Sequence, residues 1–139
     1  MTLFSIEITP RYQETDQMGV IHHSVYPIYY EQARVAFCDQ IGLPFHQIEA
    51  RGLRQAMLSM TVNYHSPVRF GEKYHLAIQI IKATKVKLVF SYTMRDYQNR
   101  LVNSGETLLV WLDRDLKPIN LAKHHADVYH RLKEYENTD

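Results

Sequence analysis

Residues 24–41 read Ser-Val-Tyr-Pro-Ile-Tyr-Tyr-Glu-Gln-Ala-Arg-Val-Ala-Phe-Cys-Asp-Gln-Ile. Tyr26, Tyr29, Tyr30, Ala33, Phe37 and Ile41 recur every three or four positions, with Glu31, Gln32, Arg34, Asp39 and Gln40 mainly between them. That rhythm predicts one amphipathic helix with an apolar stripe. Ser24 is the expected N-cap, and Pro27 fits a first turn because it has no amide to leave unpaired. Gly42 and Pro44 close the helix. Residues 45–51 suggest a further short helical turn.

Outside this helix the period changes to two. Phe4, Ile6 and Ile8 alternate with polar residues ahead of Pro10. After the helix come Leu58, Met60, Val62 and Tyr64, then Tyr74, Leu76, Ile78 and Ile80, then Val86, Leu88, Phe90, Tyr92 and Met94. Alternation of this kind predicts strands with one buried face. Residues 96–100 read as a hairpin loop. The strand 101–112 is apolar on both faces, with Thr107, Leu109 and Trp111 on one and Leu108, Val110 and Leu112 on the other, which suggests a central strand buried on both sides or one covered by another subunit. A polar helix is expected over 121–136. The order is strand, loop, long helix, four antiparallel strands and a tail helix, in one α+β domain spanning 1–139. A sheet with one helix covers only one of its faces well, which points to an oligomer.

Of the 139 residues, 16 are Lys or Arg and 15 are Asp or Glu, so no global field draws the chain to nucleic acid or an anionic membrane. No segment reads as a signal peptide or a membrane span, and the expectation is a cytoplasmic protein. The single cysteine, Cys38, excludes an intramolecular disulfide and reads as a small buried hydrophobe. The eight histidines invite a metal reading. His22 and His23 are adjacent, as are His124 and His125, so their rings are expected to diverge. His125 and His130 are five apart, so they do not share a helix face as i,i+4 ligands do. No metal is expected.

The chemistry lies in the loop before the helix. Asp16 sits in a turn-prone segment, and Gly19 permits positive φ or close approach of a ligand. The first amides of the helix lack intrahelical acceptors and present partial positive charge. A carbonyl gaining negative charge could dock there, beside a carboxylate serving as base or nucleophile. Taken alone, a loop aspartate is more often an Asx-turn residue.

The stretch 12–34, with Thr15-Asp16, Gly19-Val20-Ile21, His23-Ser24, Tyr26 and Glu31-x-Ala33-Arg34, resembles the signature of the hot-dog-fold acyl-CoA thioesterases. Within them it is most similar to the 4-hydroxybenzoyl-CoA thioesterase family with its YbgC-like members. The turn Tyr64-x-x-Pro67-x-x-x-Gly71-Glu72 and Gly105-x-Thr107 support the likeness. It implies a hot-dog fold, an antiparallel sheet wrapped around the long central helix. Copies are then expected to pair into a homodimer with a continuous sheet, and dimers into a homotetramer, with the site at a subunit interface.

The resemblance further implies that Asp16 is the catalytic carboxylate, as nucleophile or general base, and that the backbone amide of His23 polarises the thioester carbonyl. Gly19, Val20, Ile21 and Tyr26 would shape the substrate site, and Lys85 and Lys87 would hold the phosphates of coenzyme A. No separate cofactor is implied, coenzyme A being part of the substrate. Thiolate is a good leaving group, since a thiol has a pKa of about 8.5, so no strong general acid is required. Val25, Glu14 and His22 depart from common family residues and bear on pocket shape. Glu31 is a rival catalytic acid, although pairing with Arg34 on the same helix face is its expected role. The alternatives are a thioesterase acting on acyl carrier protein, a hydratase, and a non-catalytic acyl-CoA-binding protein.

Overall fold

A computed structural model describes residues 3–137. Five strands form one antiparallel sheet: β1 (Phe4–Ile8), β2 (Arg54–Tyr64), β3 (Tyr74–Ala83), β4 (Lys87–Asp96) and β5 (Leu101–Leu112). Their spatial order is β1-β3-β4-β5-β2, which leaves β1 and β2 at the edges. Helix α1 (Tyr26–Gln40) lies against one face, and α2 (Phe45–Ala50) follows it. The α+β arrangement expected from the alternating periods is present.

The core sits between α1 and the sheet. Tyr26, Tyr29, Tyr30, Ala33, Phe37 and Ile41 meet Leu76, Ile78, Ile80, Leu88, Phe90, Tyr92 and Met94 from the central strands, all buried. The helical stripe and the period-two faces are therefore two sides of one interface, and apolar burial at about 25 cal/mol per Å² holds them together. On β5 the Thr107, Leu109 and Trp111 face is buried, while Leu108 and Leu112 on the other face are half-buried.

Several boundaries differ from the sequence reading. A 3₁₀ turn, His23–Val25, precedes α1, and Ser24 does not cap the helix: Val25 occupies the cap position without a side-chain bond. The turn is capped by His22, whose ring nitrogen accepts from the Ser24 amide at 3.1 Å. Pro27 does lie in the first turn of α1. β2 starts at Arg54, four residues before the alternation becomes visible at Leu58. A bulge at this point explains the delay, because the register with β5 shifts between Met57 and Ser59. The tail helix is broken in two, α3 (Leu121–His124) and α4 (Ala126–Glu134), by His125 at φ −141° and ψ 60°. The chain then bonds the free part of β3, where the Asn137 amide donates to the Ile80 carbonyl at 2.8 Å and the Ala83 amide donates to Glu136 at 2.7 Å.

Candidate active site

Residues 14–22 fold back on themselves as a small hairpin. The His22 amide donates to the Glu14 carbonyl at 2.8 Å, Thr15 bridges Ile21, and the Asp16 amide donates to the Val20 carbonyl at 2.8 Å. The tip turns through Gly19 at φ +79°, a conformation that a β-carbon penalises. The hairpin is stitched to the segment after Pro67 by the Ile21 amide, which donates to the Val68 carbonyl at 2.8 Å.

Asp16 is an Asx-turn residue in part. One carboxylate oxygen, Oδ1, accepts from the Met18 amide at 2.8 Å and from the Val20 amide at 3.3 Å. These bonds fix the rotamer and leave Oδ2 out of the turn. The structural reading of this residue is thus satisfied by one oxygen alone, and the second is available for chemistry.

At the helix start the amides are largely used. The Ser24 amide goes to the His22 ring and the Val25 amide to the His22 carbonyl at 3.0 Å, while Pro27 has none. The His23 amide opens the turn and has no acceptor within it. Its carbonyl accepts from the Tyr64 hydroxyl at 3.1 Å. Because the His22 ring nitrogen Nδ1 accepts a backbone N–H, its neutral ring carries the proton on Nε2. The rings of His22 and His23 do not diverge; they lie 4.1 Å apart between centroids, tilted by 30°.

A cleft of about 340 Å³ opens here, lined by Asp16, Val20, Ile21, His23, Tyr26, Tyr64 and the 65–67 segment. Five of the eight expected site residues therefore face one cavity. Gly19 forms the hairpin tip beside it. Burial raises the Tyr26 hydroxyl to about 12, so it is a neutral donor at physiological pH. Lys85 and Lys87 do not line this cleft. Lys87 pairs with Val110 on β5, seven residues from Asn103, the partner of Tyr64. That is about 23 Å along the strand.

Glu14 is a residue whose contribution the sequence concealed. Its buried carboxylate accepts from the Arg11 amide at 2.8 Å, the Arg11 guanidinium at 3.0 Å and the Tyr29 hydroxyl at 2.6 Å. Burial pushes its pKa up, but these three donors outweigh that and hold it below the usual range. It fastens the base of the hairpin to α1. Glu31 and Arg34 form no ion pair, contrary to expectation: Arg34 turns inward, and its guanidinium donates to the Tyr92 hydroxyl at 3.0 Å. Cys38 is buried, which raises its thiol to about 12 and removes it as a nucleophile at neutral pH. Among the described residues no three His, Cys, Asp or Glu side chains converge to hold a metal ion, and no helix is long and apolar enough to cross a membrane.

The sequence profile of the Thioesterase-like superfamily matches residues 10–134. The acyl-CoA thioester hydrolase YbgC of Escherichia coli is 29% identical over 88% of this chain and 92% of its own length. The acyl-acyl carrier protein thioesterase ATL3 of Arabidopsis thaliana is 26% identical over 84% of this chain and 62% of its own. The DHNA-CoA thioesterase of Staphylococcus aureus has the same hot-dog architecture at a TM-score of 0.89, with 28% identity, covering 94% of this chain and 88% of that one.

Proposed function

The chain belongs to the thioesterase-like superfamily, and on that premise we propose that it hydrolyses acyl-coenzyme A thioesters to a free acid and coenzyme A. The observation carrying this reading is that the Asp16 carboxylate and the start of the 3₁₀ turn at His23 face one cleft. A thioester carbonyl placed between them has a donor at its oxygen, the His23 amide, and a carboxylate oxygen, Asp16 Oδ2, for its carbon or for an attacking water. In the direct route Oδ2 adds to the carbonyl, the C–S bond breaks, thiolate leaves, and water then opens the acyl-aspartate anhydride. In the other route Asp16 takes a proton from water, which itself attacks. A single turnover in heavy-oxygen water separates them, since only the anhydride route can leave label on Asp16.

Asp16→Asn is expected to reduce thiol release at least a thousandfold with an unchanged melting temperature, because the asparagine oxygen still accepts the Met18 and Val20 amides. Thiol-reactive dye and thermal melts measure both, and undiminished release would remove Asp16 from the reaction. Comparing acyl-coenzyme A with the same acyl group on carrier protein identifies the carrier.

Lys85 and Lys87 enter this reading through a second copy. If two copies pair through β2 antiparallel, the partner subunit's Lys87 comes level with residues 62–64 of this chain. It then lies three strand spacings away, about 14 Å, a distance the phosphate end of coenzyme A can span.

A further inference from the structure

The peptide that links His22 to His23 is held from several sides. The His22 carbonyl accepts from the Val25 amide at 3.0 Å, and the His22 amide donates to the Glu14 carbonyl at 2.8 Å. The His22 ring reaches across the peptide and accepts from the Ser24 amide at 3.1 Å. In a planar trans peptide the carbonyl and the N–H point opposite ways. A carbonyl turned into the 3₁₀ turn therefore turns the His23 N–H out of it, at the end that opens on the cleft His23 lines. The ring bond closes a loop across this peptide. Rotating the peptide plane, through ψ of His22 at 141° or φ of His23, carries the Ser24 amide away from the ring. The ring is thus a brace on the direction of the His23 N–H.

This brace depends on a proton. A neutral imidazole has one acceptor nitrogen, and an imidazolium has none. Once protonated, the His22 Nδ1–H faces the Ser24 N–H, donor against donor. It keeps a partner in the Ser24 hydroxyl, 2.8 Å from the same nitrogen. Protonation therefore passes the ring from the backbone of Ser24 to its side chain and releases the amide. His22 is half-buried, and the His23 ring lies on it at 4.1 Å between centroids. The titratable and charged groups of the surrounding elements are Asp16 and Glu14 on the hairpin, Tyr26 on α1, Tyr64 and His65 at and after the end of β2, and Arg69 after Pro67. Glu14 is turned to Arg11 and Tyr29, Tyr64 to the His23 carbonyl and His65 to Ser104. Among the described residues none of these groups bonds the His22 ring, so what its protonation changes first is the bond to Ser24.

Resting on the thioesterase reading, we propose that His22 is a positioning residue of the reaction: its neutral ring holds the His23 amide at the thioester oxygen, and protonation of the ring lets that donor go. His22 acts through the backbone and not on the substrate. A donor that must be reoriented in each turnover is missed most where the carbonyl oxygen carries most charge, in the transition state, so the loss falls on kcat and not on substrate binding. Turnover then falls with pH as the ring takes up its proton, at a point set by His22 and not by Asp16 alone.

Two substitutions test this. His22→Asn keeps an acceptor for the Ser24 amide, asparagine being among the best residues at a cap, and has no proton to gain. His22→Ala has neither. Removing a whole oxyanion donor costs on the order of 10²–10³ in kcat, so loosening one should cost about tenfold. His22→Ala is expected to lose about that much in kcat with KM within about twofold of wild type, and His22→Asn to restore most of it. The acid limb of the rate profile should lie at lower pH in His22→Asn than in wild type, which a merely structural cap would not bring about. A fully active His22→Ala, a His22→Asn as slow as His22→Ala, or an acid limb that coincides in His22→Asn and wild type overturns the proposal. A second arm needs neither catalysis nor a variant that folds. In the wild-type protein with isotope-labelled histidine, nuclear magnetic resonance should find the neutral His22 ring protonated on Nε2, and the Ser24 amide resonance should move with the ring as pH falls. A neutral ring protonated on Nδ1, or a Ser24 amide that ignores the ring's titration, overturns it. A wild type inactive on every thioester, with the coupled titration present, would instead defeat the hydrolase reading and leave the brace standing.

Discussion

Glu14 shows how a side chain outside the candidate cleft can hold the residues that line it in place. Its carboxylate ties the hairpin base to Tyr29 on α1, and its carbonyl holds His22, the residue that caps the turn opening at His23. Asp16 and His23 therefore sit on two legs of one fastened loop. Glu14→Gln should cost about 1–3 kcal/mol, since a buried charge-assisted acceptor is lost. Because Glu14 is held below its ordinary pKa in the folded state, its contribution is complete above the unfolded value of about 4.3 and is lost as pH falls through the lower folded one. Denaturant titrations should show the gap between wild type and Glu14→Gln closing as pH drops below about 4; a gap constant down to pH 2 would assign the effect to packing. The turn at Asp16 was legible because its cues are local, a turn-prone run with a glycine three residues on, whereas a catalytic part for its carboxylate came only from the family resemblance. Glu14 was not, because its partner Tyr29 is fifteen residues away and meets it only after α1 docks. Arg34 misled for the same reason. Helical spacing offered Glu31, but the sheet offered Tyr92.

At the level of elements, the two periods located α1 and all five strands, because each period is imposed by burial of one face. What they could not locate were the places where the backbone departs from period. Bulges near Leu58 and between Ile80 and Lys82 shift the alternation without any residue type that announces them. The break at His125 occurs between two runs of good helix formers. Gly105 is the informative exception, since it appears in the sequence as a motif and in the structure as a contact. A β-carbon there would lie 2.5 Å from the Thr61 carbonyl and 2.5 Å from the Tyr30 hydroxyl. Tyr30 is stacked on Tyr92 at 4.1 Å and bonds Asn103, so it has no room to retreat. Gly105→Ala should therefore push α1 off the sheet or distort β2, costing about 1–3 kcal/mol as an overpacked core does. Calorimetry should show a melting temperature several degrees lower, and an unchanged one would mean the helix rides up without cost.

For the whole molecule, the expectation of an oligomer came from a sheet with one helix on one of its faces, and the sequence could not say which edge would pair. The two edges differ physically. β1 is five residues long, and its Glu7 is engaged by Tyr97 and by Lys73 at 3.7 Å, so charge guards that side. β2 offers an unguarded ladder of backbone groups flanked by Met57 and Leu58. In a two-fold pairing centred near Ser59, Leu58 meets residues close to its own copy, so Leu58→Lys places two like charges near the axis. Within one chain Leu58 is exposed at a bulge, and the same change should leave the fold of the subunit nearly untouched. Sedimentation velocity should then show the dimer dissociating at micromolar concentration while the circular dichroism spectrum is preserved, and turnover should fall in step with the dimer fraction. Monomers that retain full turnover would place a complete site in one chain.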